Sequence, residues 1–252
     1  LWGEISLYDL TYGCIPRGWS KWFKSSQIRK KVLDISKKIE DDRLSGNEIE
    51  PSRVGQVFKA LYEVRPSQIK SVILGMDPAP QRGVAMGLSF STPKNVDSGV
   101  TVSIQRTLLA AQNDGFCVDL KNGNLQKWAD EGVLLLNSGL TIRCTSKTRN
   151  CTMKSHLSYW EGFTDELFEL LNDNKKPIAF VFWGCEARGY SKKITNPLHS
   201  ITRGGHPSSS GAPHGKRFFC NNYFLDVNES LKANGRGEID WSLSSSCNQP
   251  SK

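Results

Sequence analysis

Ser71-Val72-Ile73-Leu74-Gly75-Met76-Asp77-Pro78-Ala79-Pro80, continued by Gln81-Arg82-Gly83-Val84-Ala85-Met86-Gly87-Leu88-Ser89-Phe90, is the stretch that decides how the chain is read. Val72-Ile73-Leu74 is a short β-branched and aliphatic run closed by Gly75 and the Pro78/Pro80 pair, which reads as a buried strand rather than a helix. Asp77 stands in the first turn after that strand, ahead of a loop carrying Gly83 and Gly87. Open α/β sheets bind ligands at the carboxyl ends of their strands, so an acid placed here has a reason to be catalytic. The competing reading is an aspartate that only hydrogen-bonds its own turn.

Working outward, three more apolar runs end in polar residues. Val133 to Leu136 is stopped by Asn137, Ile178 to Trp183 by Gly184, and His199 to Thr202 runs into Gly204-Gly205-His206-Pro207. Helical periodicity fills the intervals. Ile28, Val32, Ile35 and Ile39 share a face over 25–40, and Asp41 to Glu50 reads as a charged loop. Pro51 and Ser52 open a helix carrying Val54, Val57, Phe58, Leu61 and Val64, which ends at Arg65-Pro66. Further helices are expected over 100–112, 126–130 and 156–172, with a closing one through Phe219, Tyr223, Val227 and Leu231. Residues 1–23 show no period, and the Ser-rich end, 242–252, reads as a disordered tail. Strands alternating with helices imply one α/β domain, residues 1–241, around a mainly parallel sheet. Right-handed crossovers then bring Asp77, Asn137, Gly184-Cys185 and His206 to one sheet edge. Four polar strand ends on one edge form a candidate site.

Composition narrows the function classes. A net charge of +8 suits a polyanionic partner such as nucleic acid. No run approaches the roughly 18 apolar residues of a membrane helix. Seven scattered cysteines without a C-x-x-C pair, and four histidines without zinc-ligand spacing, imply reduced, mostly buried thiols, no metal and an intracellular setting. Two glycosylation sequons, at Asn150 and Asn228, read as chance matches without a signal peptide. The chain opens at Leu1 rather than Met, so a preceding segment with any targeting signal is expected to be missing. Gly211 to Lys216 imitates a phosphate loop but has the wrong glycine spacing and is followed by Arg217 rather than Ser or Thr. Neither a dinucleotide fingerprint nor a G-x-S-x-G elbow is present, which leaves a small-molecule hydrolase reading without a nucleophile.

With the strand ends aligned, the chain resembles the uracil-DNA glycosylases of the family 1 type. Gly132-Val133-Leu134-Leu135-Leu136-Asn137-Ser138-Gly139-Leu140-Thr141-Ile142-Arg143 is similar to that family's G-V-L-L-L-N-x-x-L-T-V-R. His206-Pro207-Ser208 resembles the start of its H-P-S-P-L-S loop, and Arg217-Phe218-Phe219-Cys220 the G-F-F-G-C just beyond. Trp160-Glu161-Gly162-Phe163-Thr164-Asp165 resembles W-E-x-F-T-D, Phe182-Trp183-Gly184 the L-W-G-S motif, and Ile239-Asp240-Trp241 the C-terminal I-D-W. The likeness runs in register from about Trp22 to Trp241. It departs at G-Q-D-P-Y-H, here Gly75-Met76-Asp77-Pro78-Ala79-Pro80, where Ala79 replaces the tyrosine and Pro80 the histidine; proline at that place is also found in poxvirus members. Cys185 replaces the serine after W-G, and Ser209-Ser210-Gly211-Ala212-Pro213 replaces the leucine-bearing loop.

The resemblance implies a single α/β domain with a short, mainly parallel four-stranded sheet flanked by helices, and a base-flipping repair enzyme without cofactor or metal. Such an enzyme extrudes uracil from the stack and cleaves its glycosidic bond. By that resemblance Asp77 orients water and stabilises the sugar cation, and His206 donates to the departing base. Met76, Ala79, Phe90 and Asn137 would form the base pocket, with Phe90 stacking and Asn137 reading the pyrimidine edge. Ser103, Gly184, Cys185, Ser208, Ser209 and Ser210 would grip DNA phosphates, with Lys192, Lys193 and Arg203 adding charge. Loss of the leucine wedge implies a preference for single-stranded or mismatched DNA, with Pro213 as the best remaining apolar wedge. DNA in single or double strands is the expected partner, a uracil- or DNA-mimicking protein inhibitor a further one, and a monomer the expected state. The expected compartment is the nucleus in a eukaryotic or nuclear-replicating viral setting, and the cytoplasm otherwise. A rival reading keeps the fold but makes the chain a catalytically weak DNA-binding or processivity subunit. Retention of Asp77, Asn137, Phe90 and His206 favours the enzyme.

Overall fold

Four parallel strands form the centre of the computed structural model, which describes residues 1–94, 101–145, 153–208 and 218–244. Along the chain, α1 (Leu7–Gly13), α2 (Ser20–Phe23) and α3 (Ser26–Leu44) precede β1 (Glu48–Glu50), a 3-10 turn (Val54–Gln56), α4 (Lys59–Glu63) and β2 (Ser71–Gly75). Next come α5 (Val102–Asn113), α6 (Gln126–Asp130), β3 (Val133–Asn137), β4 (Ile142–Cys144), β5 (Met153–Ser155) and α7 (Leu157–Asn172). β6 (Ala179–Trp183), α8 (Cys185–Tyr190), a second 3-10 turn (Ser191–Lys193), β7 (Ser200–Gly204) and α9 (Tyr223–Ala233) follow.

The main sheet has the order β3-β2-β6-β7, with every neighbouring pair parallel. Helices cover both faces, and every residue of β2, β3 and β6 is buried. This is why those strands are unbroken apolar runs rather than alternating ones. Burying each Val, Leu or Ile in them contributes roughly 1.5–3 kcal/mol. The register sets Gly75 opposite Asn137 and Trp183 opposite Gly204, so the strand ends carrying Asp77, Asn137, Gly184 and His206 share one edge. Beyond the ends of β2 and β3 the pairing continues: Ser138 N–H donates to Gly75 O (2.9 Å) and Gly139 N–H to Met76 O (2.8 Å). Those two bonds fix the turn that presents Asp77. At the far end, Asn228 exchanges side-chain hydrogen bonds with the Ile239 backbone, and Trp128 Nε1 donates to Trp241 O (2.8 Å), clamping the C-terminal segment.

Several expectations need correction. Residues 1–23 are not irregular: Ser6 caps α1, and Tyr8 and Tyr12 pack under the Arg29 guanidinium, so tertiary contacts order a segment with no period of its own. The stretch 41–50 is not a loop, because α3 continues to Leu44 and β1 follows. The helix expected from Pro51 is a 3-10 turn and a short α4, interrupted at Val57 and Phe58. Phe219 lies outside the closing helix and is exposed. A second sheet, β1-β4-β5, is antiparallel and was not legible, since its strands are three residues long and β1 pairs with the remote β4.

The thiols differ as well. Cys117 and Cys144 each take part in a disulfide bond, while Cys14 and Cys185 are free and exposed. This removes the thiol argument for an intracellular compartment. The disordered tail expected from Ser242 fails at its first residues: Leu243 N–H and Ser244 N–H donate to Cys117 O, and Leu243 packs on the core. Residues 245–252 lie outside the described residues.

Candidate active site

At the carboxyl edge of the main sheet lies a cavity of about 380 Å³. Its wall includes Met76, Asp77, Ala79, Phe90, Asn137 and His206, together with Ser103 and Ser208. All six residues expected for catalysis and base binding therefore border one space. Two phosphate candidates, Ser103 and Ser208, lie at the same wall. Gly184 and Cys185 do not line it: Gly184 follows β6 and packs against the His206 side chain, and Cys185 opens α8 in solvent. Ser209, Ser210 and Pro213 lie outside the described residues. Of the basic residues named with them, Lys193 pairs with Asp165 at 3.0 Å and Arg203 Nε donates to Ser191 Oγ.

Asp77 is partly buried, and burial pushes its carboxyl above the usual aspartate range, offset only in part by one hydrogen bond. That bond comes from Ser155 Oγ, which donates to Asp77 Oδ1 at 2.7 Å. The other oxygen, Oδ2, has no protein partner among the described residues. Gly139 permits this packing, because a Cβ there would stand 2.8 Å from Asp77 Oδ1. Gly75 does the same for Asn137, whose Oδ1 would lie 2.4 Å from an added Cβ. Asn137 is 8% exposed, and its amide has no hydrogen-bond partner among the described residues, which leaves it to a ligand.

His206 is held as a neutral donor. Its Nδ1 accepts from Ser208 N–H at 3.1 Å, with Ser208 Oγ 2.7 Å away. A backbone N–H can only donate, so Nδ1 carries no proton and the proton of the neutral ring sits on Nε2. Burial pushes the imidazole below its ordinary value, which favours that neutral form. The loop is anchored from α5, where Arg106 Nη1 donates to Pro207 O at 2.9 Å.

Phe90 adopts φ 59°, in the left-handed region that a bulky residue rarely occupies. Hydrogen bonds from Ser89 N–H to Leu135 O and from Ser91 N–H to Leu88 O hold it there. The ring meets Trp183 edge-on at 5.2 Å and lies 6.1 Å from the His206 ring. Backbone strain of this kind costs about 1–3 kcal/mol and collects at functional sites.

Two site residues escaped the sequence reading. Met153 lines the cavity, and Ser155 holds Asp77. Both lie on β5, where a period of two turns residues 153 and 155 to one face. The only available signal was the S-H pair ahead of the W-E-G-F-T-D motif, which carries no chemistry until β5 is placed beside Asp77. No group of side chains suited to a metal ion occurs among the described residues, and none of the helices described there is long and apolar enough to cross a membrane.

A scan against protein-family models gives no match. The uracil-DNA glycosylase of Bacillus cytotoxicus is 41% identical over 190 residues, covering 74% of this chain and 79% of the relative. That of Fusobacterium nucleatum is 31% identical over 229 residues, covering 91% of this chain and 96% of the relative. Among solved structures, mimivirus uracil-DNA glycosylase superposes with a TM-score of 0.79 at 27% identity, over 93% of this chain and 89% of that one. A variant of mimivirus UNG in complex with UGI superposes with a TM-score of 0.79 at 26% identity.

Proposed function

This chain belongs to the uracil-DNA glycosylase family, and from that premise we propose how its cavity carries out the excision and which bases it admits. The protein is a DNA repair hydrolase that cleaves the N-glycosidic bond of uracil in DNA. The observation that carries the residue assignment is the convergence of Asp77, Phe90, Asn137 and His206 on one cavity. Phe90 stacks on the flipped ring. The Asn137 amide accepts from N3–H and donates to O4, a pattern that cytosine reverses, so cytosine would leave buried groups unpaired.

As the bond from C1′ to N1 breaks, its electron pair leaves with uracil, which departs as the anion. His206 Nε2–H donates to O2 of that anion, a contact whose loss typically costs about 10²–10³ in rate. The sugar acquires oxocarbenium character, which the ionised Asp77 stabilises. Asp77 Oδ2 orients the attacking water, whose oxygen bonds to C1′ while its proton is passed to the carboxylate. A role limited to DNA binding would leave the buried carboxylate and the neutral imidazole without a task.

Ala79 shortens the wall where the resembling family carries a ring, and the side chains bordering that space set the substrate range. Met86 is 8% exposed and accepts a hydrogen bond from Ser91 Oγ, so it stays in the core. Met76 and Met153 are 36% and 37% exposed, and their flexible thioethers can yield to a substituent. The pocket therefore admits 5-hydroxymethyluracil, and thymine slowly, besides uracil. Selection against one methyl group in such a wall is worth only about 1–3 kcal/mol. Base release from single-stranded oligonucleotides carrying uracil, 5-hydroxymethyluracil, thymine or cytosine at one position tests this. Release of the first three in falling order, with cytosine retained, is expected; strict rejection of both substituted uracils would show that the methionines close the wall. DNA is the partner, the protein acts as a monomer, and a protein inhibitor that mimics uracil or DNA would compete for the same edge; a variant of mimivirus UNG forms a complex with UGI.

A further inference from the structure

We infer that Ser155 is a positioning residue for the excision reaction: it occupies Asp77 Oδ1 and so fixes the carboxylate, leaving Oδ2 as the oxygen that acts in the reaction. The inference rests on the assignment of Asp77 as the group that acts on water and sugar. Ser155 Oγ accepts a hydrogen bond from Leu157 N–H at 3.0 Å, so its own proton is directed to Asp77 Oδ1 at 2.7 Å. Gly139 closes on the same oxygen, since a Cβ there would come within 2.8 Å of it. Oδ1 is thus taken up by Ser155, while Oδ2, also buried, has no protein partner among the described residues.

Ser155 is itself held from both sides. On one side it sits opposite Ile142 in the β4–β5 pairing. On the other, His156 is buried, with Nδ1 2.9 Å from Thr141 Oγ1 and its ring stacked on Tyr159 at 4.6 Å. Trp160 Nε1 donates to that same Thr141 hydroxyl, which directs the Thr141 proton to His156. The main sheet fixes the backbone of the catalytic turn, and the second, antiparallel sheet holds the Asp77 carboxylate. Rotation of an unsupported carboxylate about its last torsion would misplace Oδ2 by about an ångström, a scale at which rates fall by about 10²-fold.

The hydrogen bond also favours the ionised form of Asp77 against burial. Besides Asp77, His206 is the titratable side chain lining the cavity among the described residues, and His156, behind Ser155, remains neutral down to about pH 4. Losing Ser155 should therefore move the acid limb of the rate profile to higher pH.

Single-turnover base release from a single-stranded uracil oligonucleotide, measured across pH with Ser155→Ala, Ser155→Thr, Asp77→Asn and the Asp77→Asn/Ser155→Ala double variant, tests the inference. Ser155→Ala should lower the rate about 10- to 100-fold, shift the acid limb upward and leave DNA binding within a few-fold. Ser155→Thr, which keeps the hydroxyl, should recover most of the rate. The double variant should be no slower than Asp77→Asn alone, because Ser155 acts through that carboxylate. Additive losses, or a Ser155→Ala enzyme with an unmoved acid limb, would overturn the inference. Near wild-type release by Asp77→Asn would instead overturn the assignment of Asp77 on which it rests.

Discussion

At the scale of single residues, Ala79 and Met153 exchange the task of closing the pocket. Ala79 lies where the sequence already showed a departure, but Met153 arrives from β5. If its thioether is the remaining wall opposite a 5-substituent, Met153→Ala should raise release of 5-hydroxymethyluracil and thymine relative to uracil by about 10-fold, matching 1–3 kcal/mol of shape selection. Competition between the bases in one oligonucleotide mixture would measure that ratio, and an unchanged ratio would place the wall elsewhere. His206 makes a separate prediction. Its neutral tautomer is set by the Ser208 backbone, so Ser208→Ala, which keeps the N–H, should slow release far less than His206→Ala. Equal losses in a rate comparison would mean that the Ser208 hydroxyl rather than the backbone directs the ring.

At the scale of elements, the polar junction between α3, β4 and α7 governs acid stability. Asp42 is buried and pairs with Arg143, accepts from Tyr159 OH at 3.0 Å and lies 3.1 Å from His156 Nε2. Burial lowers His156 to about 4 in the folded chain, against an ordinary 6.5. The unfolded chain then takes up a proton between pH 6.5 and 4 that the folded chain refuses, so stability present above 6.5 is lost as pH falls to about 4. The full effect is on the order of 3 kcal/mol. Urea unfolding of the wild type and of His156→Gln across this range should show the slope in the first and its loss in the second. A His156 imidazole resonance titrating near pH 6.5 would contradict it. This same junction shows the limits of sequence reading. Fully buried strands such as β2 and β3 announce themselves as continuous apolar runs, and α3 and α7 by their period. β1, β4 and β5 are three residues each, too short for a local pattern, and β1 pairs only with the remote β4. Asp77, Asn137 and His206 were legible because strand ends on one edge follow from topology. Ser155 was not, because it depends on the second sheet.

At the scale of the whole molecule, a net charge of +8 surrounds a cavity whose own titratable groups, among the described residues, are one carboxylate and one neutral imidazole. Affinity for DNA should therefore fall with salt as phosphate counterions are released, while the order of bases excised should not change. Binding measured from low to physiological salt on uracil-free and uracil-containing strands would check both parts. The replacement of the leucine-bearing loop by Ser209 to Pro213 further predicts faster excision from single strands and U·G mismatches than from U·A pairs. A flat profile over the three contexts would mean that another residue fills the gap left by the flipped base. The central claim is that this cavity excises uracil through an ionised Asp77. It is tested most directly by abasic-site formation on a single-stranded oligonucleotide containing one uracil, under single-turnover conditions, with wild type and Asp77→Asn. Rapid abasic-site formation by the wild type, a loss of at least about 10³-fold in the variant and retained DNA binding are the results predicted. Equal rates for the two proteins would contradict it.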